Sequence, residues 1–115
     1  MPTLRQLVDA GMVATRERIV SVTTAAGGTE ILKPDPSRVA FTIVNDGAAG
    51  NFMRVTRREV PTTSRGLPVD SAGGVLAEDF DVFGRSVGDG RRAIMATGVI
   101  DVYVEETLVV GKVDG

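Results

Sequence analysis

The chain contains no His and no Cys. Nucleophilic catalysis of the Ser-His-Asp or Cys-His kind is therefore closed to it, and so are the usual soft-metal sites. Carboxylate chemistry or a Ser/Thr-Lys pair is what remains. The lysines, Lys33 and Lys112, fall in a proline loop and in the C-terminal tail, poor places for a buried base. The acidic cluster is Glu78, Asp79 and Asp81. Paired carboxylates can act on glycosidic bonds or hold Ca²⁺. Adjacent carboxylates on an extended segment point apart, however, and the EF-hand spacing is absent. A solvated strand-to-loop corner is expected there, with Ca²⁺ binding as the alternative. Residues 84–92, Gly-Arg-Ser-Val-Gly-Asp-Gly-Arg-Arg, come nearest to a phosphate loop. They lack the Gly-Lys-Ser/Thr ending and precede a strand rather than a helix, so a hairpin loop is expected. The reading is of a protein that is not an enzyme, with no catalytic residue, no metal ligand set and no cofactor.

Of 13 basic residues only the two lysines are not Arg, and the net charge is −2. That balance gives no general attraction to nucleic acid. Arg54, Arg57, Arg58 and Arg65 do cluster along one strand and its following loop. Arg forms fixed, bidentate contacts better than Lys, so this cluster reads as an interface or a solvated face. Four Phe, one Tyr and no Trp supply few rings on which sugars or bases could stack. The apolar runs are too short to span a membrane. The segment Met-Pro-Thr-Leu-Arg-Gln-Leu-Val-Asp-Ala-Gly does not have the form of a signal peptide.

These side chains need a scaffold, and the hydrophobic pattern supplies a β one. Residues 3–12 read as a short helix, with Thr3 as N-cap, Leu4, Leu7 and Val8 at helical spacing, and Gly11 as terminator. From Val13 the period becomes two. Residues 18–23 and 29–32 flank an Ala-Ala-Gly-Gly turn and look like a hairpin. Pro34 and Pro36 impose a loop. Residues 39–45 form the clearest strand, 52–57 a half-exposed one, and 67–69, with Pro68, an edge strand or bulge. Residues 75–78 and 79–83 are extended candidates. Residues 92–97 and 99–105 read as two strands joined tightly through Gly98, with Ile100, Val102 and Val104 on the core face. Short strands with turns every eight to twelve residues indicate an all-β fold, a small antiparallel β-sandwich or jelly-roll-like barrel. The expected organisation is a helical arm (1–15), a β-sandwich (16–107) and a C-terminal tail (108–115).

From Pro36 to Glu105 the sequence resembles a β-sandwich module of tailed-bacteriophage virion proteins. The residues that carry the resemblance begin with Pro36-Ser37-Arg38-Val39-Ala40-Phe41-Thr42-Ile43-Val44-Asn45-Asp46-Gly47, followed by Gly66-Leu67-Pro68-Val69. Then come Gly73-Gly74-Val75-Leu76 with Asp79-Phe80, and last the stretch Ala93-Ile94-Met95-Ala96-Thr97-Gly98-Val99-Ile100-Asp101-Val102-Tyr103-Val104. The basic segment 54–65 is longer than the usual link. The resemblance implies a capsid decoration (cement) protein on the virion exterior, bound to the major capsid protein and to itself as a dimer or trimer. From the charge balance and the short apolar runs, no membrane or nucleic-acid partner is expected. The alternatives are a small tail, collar or head-fibre component, or a host-surface ligand-binding β-module. The candidate partner interface takes the apolar arm, the basic strand and the apolar tail: Leu4, Leu7, Val8, Met12, Arg54, Arg57, Arg58, Leu108, Val109 and Val110.

Overall fold

A computed structural model describes residues 3–47, 52–57, 60–62, 66–69, 73–95 and 98–110. Arg58, Arg65, most of the basic loop and the tail beyond Val110 lie outside the described residues.

Helix α1 (Leu4–Asp9) opens the chain. Thr3 accepts a hydrogen bond from the Gln6 N–H, and the Gln6 side chain accepts one from the Thr3 N–H. This reciprocal pair satisfies two N–H groups that a helix start leaves unpaired. Gly11, at φ 69°, turns the chain out of the helix as expected. Among the described residues eight strands follow: β1 (Val13–Val22), β2 (Thr29–Leu32), β3 (Arg38–Asn45), β4 (Met53–Thr56), β5 (Leu67–Val69), β6 (Gly74–Asp79), β7 (Arg91–Met95) and β8 (Ile100–Val109). They form two antiparallel four-stranded sheets, in the orders β1-β8-β3-β6 and β2-β7-β4-β5. The fold is an all-β sandwich with the double Greek-key order of a jelly roll.

That order corrects two expected hairpins. β1 pairs with β8 and β2 with β7, so the turn at residues 25–28 carries the chain from one sheet to the other. The Gly98 corner likewise joins β7 in one sheet to β8 in the other. Among the described strands only β4 and β5 are both consecutive and paired. Glycine-rich turns mark reversals but do not distinguish a ladder from a crossing between layers. Two further expectations fail between β6 and β7. Residues Phe80–Phe83 form a one-turn helix, α2, and not a strand, because the Asp79 carboxylate accepts from the Val82 N–H and caps a helical start. Residues Gly84–Gly88 form a 3-10 helix in place of a hairpin loop. The C-terminal apolar stretch is also not free: β8 runs on through Val109, where it pairs with Val13.

The core lies between the sheets. Ile100, Val102 and Val104 point into it, as their alternation indicated, and meet Val22, Ile31, Phe41, Ile43, Met53, Val55, Val87 and Met95. At roughly 1.5–3 kcal/mol for each large apolar side chain, this burial is the main favourable term for the fold. Leu7, the buried residue of α1, anchors the arm to the chain's own body.

Candidate functional site

The most unusual chemistry lies at one end of the sandwich, where charge is buried. The Glu106 side chain has no solvent exposure. It sits on the core parity of β8, after Ile100, Val102 and Val104 and before Leu108. A carboxylate there must be matched by positive charge and hydrogen bonds. Three arginines do this. Arg38 Nε donates to one carboxylate oxygen at 2.9 Å. Arg16 donates to the other through Nε and Nη2, at 3.3 and 3.2 Å, and Arg18 donates to that same oxygen. Arg16 and Arg18 lie on one face of β1 by alternation. Arg38 arrives differently. A register shift between Arg38 and Ala40 interrupts the β3–β8 ladder, and this bulge turns Arg38 inward when simple parity would place it with Ala40 and Thr42.

Burial pushes the Glu106 carboxyl up, but hydrogen bonds from Arg18 and Arg38, together with their charges, outweigh it and hold the group below its usual range. Asp35 beside it is also held low. Hydrogen bonds from the Ser37 side chain and backbone do most of this against partial burial, with help from Arg38 and Arg16. Outside this clasp an open cleft of about 470 Å³ is lined by Arg16, Arg18, Glu30, Lys33, Pro34, Asp35 and Glu106.

A second buried arginine completes the end of the sandwich. Arg91 is 2% exposed, and its guanidinium lies 4.9 Å from the Phe41 ring centroid. It donates to Glu78 at 2.8 Å, to the Ser86 carbonyl at 3.1 Å and to the Asp89 carbonyl at 2.7 Å. Arg38 donates to the carbonyls of Lys33, Val87 and Asp89. The glycine-rich segment thus turns its carbonyls onto two guanidiniums. A phosphate loop turns its N–H groups toward the ligand, so this segment has the wrong polarity for that work. Gly88 makes the approach possible: a Cβ there would stand 2.7 Å from the Asp35 carbonyl oxygen. Gly88→Ala is expected to spread the two loops and lower the melting temperature by several degrees. An unchanged thermal melt would show that the loops yield freely.

The acidic corner is occupied by structural duties. Glu78 pairs with Arg91, Asp79 caps α2, and the Asp81 carboxylate accepts from the Leu4 N–H at 3.0 and 3.2 Å. Among the described residues no group of three or more His, Cys, Asp or Glu stands close enough together to hold a metal ion.

The expected interface residues disperse. Leu7 and Leu108 are buried in the chain's own body, Leu4, Met12 and Val109 are half-buried, and Val8 and Val110 are exposed. Arg54 donates to the Gly66 carbonyl and lies over Phe52, while Arg57 is exposed near Asp89. The structure instead gathers an apolar row on the outer face of the β1-β8-β3-β6 sheet. Ile19 pairs with Tyr103, Tyr103 with Val44, and Val44 with Val75, one residue per strand. Ile19 is 70% exposed and Val75 58%. Within the row, the Tyr103 hydroxyl donates to Glu105 at 3.2 Å. Partial burial, then Glu105 and Glu17, push its phenol up to about 12.

Fold and site together give a jelly-roll β-sandwich with a buried charge cluster at one end and an exposed apolar row on the outer face of one sheet. No family model, curated protein or solved structure matches the chain.

Proposed function

We propose that this chain is a structural protein of a bacteriophage virion, a decoration protein on the capsid exterior that stabilises the shell by binding over joints between major capsid subunits. The reading rests on the sequence resemblance described above. The structural observation that best supports it is the outer sheet face, where four strands set Ile19, Tyr103, Val44 and Val75 side by side. An exposed, aligned apolar row suits contact with another protein surface. The jelly-roll order also fits, since viral capsid domains use it, although lectin domains and cupins do so too. A repeating lattice would multiply one modest contact many times over.

The test uses purified protein and capsids stripped of it. Added protein is expected to rebind and to raise the temperature at which the capsids disrupt. Val75→Lys, at an exposed position on the outer sheet face, is expected to weaken rebinding at least tenfold. Capsids that neither bind the protein nor gain heat resistance would sink the proposal.

A further inference from the structure

The two sheets have four edge strands, and three of them are blunted. β5 is three residues long and contains Pro68. β2 is four residues long, with a register shift between Glu30 and Leu32. β6 ends in Glu78-Asp79 and runs directly into α2. Short length, proline, bulges and charge are the usual means of keeping an edge from pairing with another chain. β1 differs. It is ten residues long, holds a regular register against β8 from Val13 to Val22, and contains no Pro or Gly. Among the described strands only β8 pairs with it.

The register shows which backbone groups are open. The Val110 N–H donates to the Met12 carbonyl, so even-numbered residues of this ladder face β8. By the alternation of an antiparallel pair, Val13, Thr15, Glu17, Ile19 and Ser21 turn their N–H and C=O groups outward. We infer that β1 pairs antiparallel with β1 of a second copy about a two-fold axis at Ile19, joining two four-stranded sheets into one of eight strands.

Charge selects that register. Centring on Glu17 would pair the most residues, but it sets Glu17 against Glu17 and Arg16 against Arg18 twice. Centring on Arg18 sets Arg18 against itself. Like charges directly opposed destabilise a ladder. Centring on Ile19 sets Ile19 against Ile19, Arg18 against Val20, Glu17 against Ser21 and Arg16 against Val22, with no like-charged pair. Centring on Val20 also avoids like charges but shortens the overlap and sets Ile19 against Ser21. The Ile19 register makes the apolar row continuous as well: Val75, Val44, Tyr103 and Ile19 of one copy run into Ile19, Tyr103, Val44 and Val75 of the other. Arg16 and Arg18 point inward and guard only the first half of β1, and both are already engaged by Glu106. The second half, Ile19 to Val22, carries no such guard.

This pairing needs no shell, and its test uses the protein alone. The chain has no Cys, so single cysteines report the register. Directly opposed, hydrogen-bonded residues have Cα atoms about 5.5 Å apart, within disulfide reach. Ile19→Cys is expected to oxidise to a covalent dimer. Glu17→Cys and Ser21→Cys are expected to form no covalent dimer under the same conditions, because each would lie roughly 14 Å from its own copy. By sedimentation the unaltered protein is expected to run at twice the chain mass. Ile19→Lys, at an exposed position, is expected to run at one chain mass with an unchanged circular dichroism spectrum. A monomer at the highest soluble concentration, or cross-linking as strong at residue 17 or 21 as at 19, would overturn the inference. Capsid rebinding by a purely monomeric protein would overturn it while leaving the shell reading intact.

Discussion

Replacing Glu106 with Ala is expected to destabilise the domain by about 3–5 kcal/mol, the usual cost of breaking a buried ion pair from one side. For a domain of this size that corresponds to a fall of roughly 12–20 °C in melting temperature. The size of the effect comes from what is left behind. Arg38 is 1% exposed and cannot swing out to water. Its three carbonyl partners would still hold the guanidinium, but the carboxylate bonded to it would be gone and only the charge of Asp35 would remain nearby. Arg16 and Arg18 are more exposed and can rehydrate, so they add little to the loss. Glu106→Gln is expected to cost less, since the amide oxygen can still accept one of the guanidinium hydrogen bonds. A Glu106→Ala protein that melts within two or three degrees of the parent would show that water enters the clasp and replaces the carboxylate.

The same residue gives a pH dependence of definite sign. The folded state holds Glu106 below its ordinary value of 4.5. Its contribution is therefore fully present above about pH 4.5 and is lost as pH falls through the lower, folded value. Asp35, held below its ordinary 3.8, adds a loss of the same sign at lower pH. Melting temperatures measured from pH 7 to pH 3 are expected to converge for the parent and Glu106→Gln below pH 4.5. A constant gap across that range would mean that the carboxylate does not titrate with unfolding.

How much of this was legible in the sequence depended on the distance over which each feature is determined. α1 was readable because Thr3, Leu4, Leu7, Val8 and Gly11 act within one or two turns of the chain. The inward face of β8 was readable because alternation is local. The same alternation also carried an unused signal: it places Glu106 on the face of Ile100, Val102 and Val104, and a carboxylate on a core face requires partners. The identity of those partners was not readable. Arg38 turns inward only because β3 bulges against β8, and a bulge is a property of two strands together. The sheet order was hidden for a similar reason. Ala25 to Gly28 and Gly98 reverse the chain in either a ladder or a crossing, and the choice is made by the core that the two layers share. The apolar row is equally non-local, since Ile19, Tyr103, Val44 and Val75 come from four strands and meet only through register.

The second large effect is expected at Arg91, which shapes the glycine-rich segment from below. Arg91→Leu removes the donor to the Ser86 and Asp89 carbonyls and leaves Glu78, whose side chain is 11% exposed, without its cation. Burial works against the charged guanidinium, and Glu78 and Asp89 oppose that cost. Glu78 retains a little access to water, so the expected loss is about 3 kcal/mol, the lower end for a broken buried pair. Arg91→Lys is expected to recover less than half of it. A single ammonium on a flexible stem cannot reach Glu78 and both carbonyls in the planar arrangement that a guanidinium provides. Arg91→Leu combined with Glu78→Leu separates the two contributions. It removes the stranded carboxylate but not the unpaired carbonyls, so it is expected to recover part of the stability and not all of it. The damage should also be local. Arg91 and Arg38 together hold the turn that inserts Val87, fully buried, into the core. Hydrogen exchange is therefore expected to rise first at residues 84–90, before β8 loses protection. If β8 and the 3-10 segment open together in Arg91→Leu, the arginine supports the whole sandwich end rather than this turn. If neither opens and the stability loss stays below 1 kcal/mol, the Phe41 ring and the surrounding packing hold the turn without it.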